Sequence, residues 1–130
     1  MKIPVASVLR WVCVLCFLGA ACRHTSDIFF GGWLPYTWTA LPINLFWTSL
    51  TVLDPLAALL LWCRPRLGAA LALLIMLSDV GINTFVAVQM EHQTSLGVLT
   101  LVAQTLFLGL LIGGFPLLRS LEPSPAVRKP

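Results

Sequence analysis

The stretch LAALLLWCRPRLGAALALLIML, residues 56–77, decides the fold. Its two apolar runs have no polar face, so neither can lie on a soluble core with one side in water. Only Arg64-Pro65-Arg66 interrupts them. Three residues with a central proline allow nothing longer than a tight turn, so the flanking segments are expected to be adjacent antiparallel helices.

Reading outward, each run extends to the length that crosses a bilayer, about 20 apolar residues. The pattern predicts spans over about 5–22, 41–63, 67–88 and 96–118. The expected fold is therefore all-α, an integral membrane four-helix bundle in a single domain over 1–130. The breaks are polar: Arg23-His24-Thr25-Ser26-Asp27 is read as ending the first helix, and Glu91-His92-Gln93-Thr94-Ser95 as preceding the fourth. The proline-rich end, 121–130, is expected to be a disordered tail.

Composition agrees: 58% of the 130 residues are hydrophobic and only 10% charged, with a mean hydropathy of +0.93. Soluble domains average about 25% charged residues. The formal charge of +3 suggests no nucleic-acid partner, because the basic residues sit at segment ends and form no stripe. Lys2, Arg10, Arg64, Arg66, Arg119, Arg128 and Lys129 fall on one side of the expected spans and Arg23 alone on the other. By the positive-inside rule both termini are cytoplasmic, in a multi-pass protein of a bacterial inner membrane or a plasma membrane.

The outer loop, 23–40, carries Phe29, Phe30, Trp33, Tyr36 and Trp38. It reads as an interfacial aromatic anchor, or as a lid hinged at Gly31-Gly32. An alternative for the beginning of the chain is a signal peptide, with Leu18-Gly19-Ala20-Ala21-Cys22 resembling a lipoprotein cleavage site; cleavage there leaves three spans. Cys13-x-x-Cys16 lies in an apolar helix and reads as packing, and the four cysteines lack the spacing of a disulfide scaffold.

Polar groups within the spans are costly in hydrocarbon and are the candidate site. Asn44, Thr48, Thr51 and Asp54 recur every three or four residues and form one stripe on the second helix. Asp79 and Asn83 are one turn apart on the third helix, as are Thr100 and Gln104 on the fourth. At 1.5 Å per residue Thr48, Thr51, Asp79, Asn83 and Gln104 share a depth of roughly 8 to 15 Å below the outer surface, with Asp54 nearer the middle. The inner half offers almost nothing polar, so the pocket is expected to open outward. Neither acid has an evident cationic partner at its depth, which suits a cationic ligand or a proton. The competing reading is structural: Thr51 and Asp54 repair the helix at Pro55, and Asp79, Asn83 and Gln104 are interhelical glue.

The order Asp27, then Asp54-Pro55-Leu56, then Asp79 with Asn83 one turn on, resembles the EXPERA superfamily of four-helix membrane proteins. The resemblance implies a pocket in which Asp27, Asp54 and Asp79 bind cationic amphiphiles or move protons on a sterol. The chain departs from that pattern where the second helix continues for more than two turns after Asp54, and where Gln104-Thr105 stands in place of a histidine followed by threonines. It is similar as well to DoxX-like four-helix bacterial proteins, which implies no definite chemistry.

The expected function is thus binding of a hydrophobic or amphiphilic small molecule, with Asp79 as the principal polar contact. A proton-coupled small transporter and a non-catalytic membrane subunit or scaffold are the alternatives. The partners are the lipid bilayer, a lipid-like molecule and a second copy, and Gly109-x-x-x-Gly113 reads as a close-packing motif either within the bundle or between subunits. No reaction is assigned, and with no phosphate loop, metal cluster or Ser/His/Asp arrangement in the sequence no cofactor or metal is expected.

Overall fold

A computed structural model describes residues 4–89 and 95–121. The tail expected over 121–130 and the Glu91–Thr94 break lie outside these, apart from Leu121 and Ser95. Four helices follow in order: α1 (Val5–Gly31), α2 (Leu41–Cys63), α3 (Pro65–Gln89) and α4 (Ser95–Ser120). All four are long and apolar enough to cross a membrane.

The helices form a ring. α1 packs on α2, α2 on α3, α3 on α4, and α4 closes on α1 along the slenderest of the four interfaces. The α2–α3 hairpin is tight because Pro65 opens α3 directly after Arg64, whose N–H still bonds to Leu60 O at 2.7 Å. A methyl group on Gly68 would strike the backbone of Leu60 and Leu61, so only a residue without a side chain fits there. Ala57, Ala58, Ala69 and Ala72, all buried, flank the turn and let the two backbones approach closely. Phe17, Leu50, Leu61, Leu111 and Leu118 fill the core between the helices.

Two ends result. The turn end carries the beginning of α1, Arg64–Arg66 and the end of α4. There Arg10 lies 5.1 Å over the Trp62 ring and Arg66 Nε donates to Arg119 O at 3.5 Å. The loop end carries the 32–40 connection, and Arg23 is its one described lysine or arginine.

The first helix corrects the sequence reading. Arg23–Asp27 does not end it; the helix runs nine residues past Cys22, to Gly31. No proline or helix-ending glycine pair occurs before Gly31-Gly32, and the polar side chains are served inside the helix. Thr25 Oγ1 donates to Ala21 O at 2.7 Å, Ser26 Oγ to Cys22 O at 2.9 Å, and Arg23 Nε pairs with Asp27 Oδ1 at 3.3 Å, four residues on. Gly32, at φ +84°, then stops the helix in a conformation that costs glycine little, its N–H bonding to Ile28 O. The true loop is 32–40.

The Gly109-x-x-x-Gly113 motif makes no close approach within the bundle, since a methyl group on either glycine would meet nothing within 4 Å. Gly114 is the close contact instead, against the Leu9 side chain of α1.

Candidate functional site

The seven candidate residues fall into three sets. The first is a clasp on the loop. Asn44, 4% exposed, donates from Nδ2 to Leu34 O at 3.1 Å. Its Oδ1 accepts from Tyr36 N at 3.3 Å and from Thr48 Oγ1 at 3.3 Å. One buried amide thus satisfies two backbone groups of the loop and draws Tyr36 into the bundle mouth. The Tyr36 ring meets Trp47 edge-on at 5.1 Å, and Trp38 packs against Trp47 at 5.6 Å. Phe29, Phe30 and Trp33 remain more than four-fifths exposed, as membrane-interface rings are.

The second set joins α3 to α4. Asn83 Nδ2 donates both to Asp79 Oδ1 at 3.1 Å and to Gln104 Oε1 at 2.9 Å, while Gln104 Nε2 donates to Asp79 Oδ2 at 2.8 Å. Asp79, 7% exposed, therefore has a donor on each oxygen. The triad is closed on itself, which is the geometry of interhelical glue.

The third set is open. Asp54 is 2% exposed and its Oδ2 has no hydrogen-bond partner; Thr51 Oγ1, one turn earlier on the same face of α2, is also buried and without one. Since Thr51 makes no bond, it does not repair the carbonyl that Pro55 releases. An unpaired buried polar atom costs about 1–3 kcal/mol, and here two stand side by side.

Asp54 has a titratable neighbour that helical spacing did not bring to it. Because α1 continues as a helix, it carries His24 into the bundle, and His24 Nε2 lies 4.0 Å from Asp54 Oδ2. The other ring nitrogen, Nδ1, is 2.9 Å from Tyr36 Oη, which donates to Asp27 Oδ2 at 2.8 Å. Asp27 is paired with Arg23 at the surface and its side chain is 20% exposed. The result is a continuous polar line from Arg23 through Asp27, Tyr36 and His24 to Asp54, with Asp79 within electrostatic reach beyond it. Burial, and then the hydrogen bond and charge of Asp27, push the Tyr36 phenol well above its ordinary range.

His24, Tyr36 and Trp47 were not singled out by the intramembrane pattern. The available signal was the absence of any helix breaker between Pro4 and Gly31, which puts His24 and Asp27 on a continuing helix. A separate recess of about 320 Å³ opens between the end of the loop and the α2 and α3 termini, lined by Trp38, Ile43, Phe85, Val86 and Gln89 among others. None of the seven candidate residues lines it. Among the described residues no group of acids, cysteines and histidines is placed to hold a metal ion.

No protein-family model, curated protein or solved structure matches this chain.

Proposed function

We propose that the chain is a four-span membrane protein with its turn end in the cytoplasm, and that it binds an amphiphilic molecule whose polar head enters the bundle at Thr51 and Asp54. The observation that carries the reading is the pair of orphan atoms, Thr51 Oγ1 and Asp54 Oδ2, three residues apart on one buried face. A head group with a hydrogen-bond donor, such as an amine or a hydroxyl, satisfies both, and removing their desolvation penalty favours the bound state. The apolar remainder of the molecule suits a bundle whose other surfaces are hydrocarbon-like. The resemblance to EXPERA proteins implies a cationic head, which fits a carboxyl group as the receiving residue.

This reading moves the principal contact from Asp79 to Asp54. Asp79 supports the site as a wall, held by Asn83 and Gln104, and Asn44 with Thr48 fixes the loop that covers it. For those three α3–α4 residues the scaffold reading is favoured by their closed hydrogen bonding.

Native mass spectrometry of gently extracted protein tests the proposal. The wild type is expected to retain a lipid-like molecule that Asp54→Asn and Thr51→Val both lose, while Ser78→Ala, altering an exposed hydroxyl bonded within its own helix, keeps it. An empty wild type, or equal retention by the Asp54 and Thr51 variants, sinks it.

A further inference from the structure

The line from Asp27 to Asp54 has a direction, set by how many protons its members own. A phenol has one proton. Tyr36 spends it on Asp27 Oδ2, so toward His24 the phenol oxygen is an acceptor. His24 Nδ1 must then carry a hydrogen, and Nε2 is left to face Asp54 Oδ2 across 4.0 Å. If neither of those two atoms held a proton, two lone pairs would face each other in a buried space. One proton between them removes the conflict, as imidazolium with carboxylate or as imidazole with carboxylic acid.

We infer that His24 and Asp54 hold one exchangeable proton that reaches the outer solution through Tyr36 and Asp27, making this end of the bundle a proton-binding site in its own right. The steps balance. His24 passes the Nδ1 proton to Tyr36 Oη as Tyr36 passes its own proton to Asp27 Oδ2, and Asp27 releases it to water beside Arg23. His24 is then neutral with its hydrogen on Nε2, facing the Asp54 carboxylate, and the Tyr36 hydroxyl, now holding its proton on the His24 side, donates to Nδ1. Loading reverses the sequence. The two states differ by one proton and by the direction of one hydroxyl.

The groups facing the pair are few. α1 supplies Arg23 and Asp27, the loop Tyr36 and α3 Asp79; α4 supplies among its described residues only the uncharged amide of Gln104 at this level. The inference does not depend on an amphiphile entering, because every group in the relay belongs to the bare bundle. A failed ligand test therefore leaves it standing, and its own failure leaves the ligand reading intact.

The test uses the full chain in phosphatidylcholine nanodiscs with ¹⁵N-labelled histidine and His92→Gln, so that His24 is the sole labelled ring. Between about pH 5 and about pH 8, Nδ1 is expected to lose its hydrogen while Nε2 keeps one. Asp54→Asn is expected to lower the proton affinity of His24 by about tenfold or more. Tyr36→Phe should leave the loaded state in place but slow its exchange, read from line shapes, by on the order of a hundredfold, as loss of a positioned proton carrier does. Asp27→Asn gives the same slowing and decides alone if Tyr36→Phe does not fold. A proton lost from Nε2 instead of Nδ1, an unchanged affinity in Asp54→Asn, or wild-type exchange in the relay variants overturns the inference.

Discussion

At the scale of single residues, the chain spends scarce hydrogen-bond donors where its apolar interior leaves no substitute. Tyr36 is the clearest case, and as the only tyrosine in the chain it can be followed directly. Burial first and Asp27 second raise its ionisation above the usual value near 10. The sign follows: a folded-state value above the unfolded one means that the neutral phenol stabilises the fold below about pH 10, and that this stability is lost as the pH rises beyond it. Ultraviolet titration is therefore expected to find Tyr36 un-ionised where free tyrosine is half ionised. Asp27→Asn should shift the transition part of the way back, because burial remains. A transition at the free-tyrosine value would show that the ring is not held in the bundle mouth. Most of the candidate site was open to a reader of the sequence, because Asn44, Thr48, Thr51 and Asp54 keep helical spacing and Asp79 and Asn83 do as well. Which of them is satisfied was not, since Asp79 meets Gln104 while Asp54 Oδ2 has no hydrogen-bond partner, through tertiary placement that spacing alone does not encode.

At the scale of elements, existence and kind were legible and one boundary was not. Four apolar runs separated by polar breaks gave four helices, because nothing but a helix satisfies so long a stretch of backbone without water. Polarity at Arg23–Asp27 is not a stop signal for α1. Thr25 and Ser26 bond to carbonyls one turn back, and Arg23 reaches Asp27, so the helix carries its polar residues without breaking. The real stop is Gly31-Gly32. The glycines sort by the same physics, and a pair of substitutions checks it. Gly68→Val places a branched side chain against the Leu60–Leu61 backbone, which cannot retreat, and is expected to destabilise by about 1–3 kcal/mol or more. Gly113→Ala meets nothing within 4 Å and should be neutral or slightly stabilising, as alanine in a helix is. Thermal unfolding in one detergent measures both; equal midpoints would mean that the α2–α3 turn is looser than its geometry implies.

At the scale of the whole molecule, the question is what closes the ring, since α4 is the helix with least of itself inside: 11% of its most apolar stretch is buried against 33% for α2. α4 is held by packing, as at Gly114 and Leu9, and by the Asp79, Asn83 and Gln104 bonds. These two contributions respond differently to substitution. Gln104→Leu removes the donor to Asp79 Oδ2, leaving a buried carboxylate oxygen unpaired at about 1–3 kcal/mol, and takes one of the two acceptors of Asn83 Nδ2. Replacing all three residues by leucine removes the polar atoms together with their partners, and a fully apolar substitute for a buried polar cluster is often neutral or better. The single variant is therefore expected to melt lower than the triple one, although the triple one has lost every hydrogen bond of the cluster. Asp54 and Thr51 are untouched in both, so on the proposed reading the triple variant still retains an amphiphile there. A triple variant that melts below Gln104→Leu would instead make the triad the clasp on which the ring depends, and packing along α1 and α4 the lesser force.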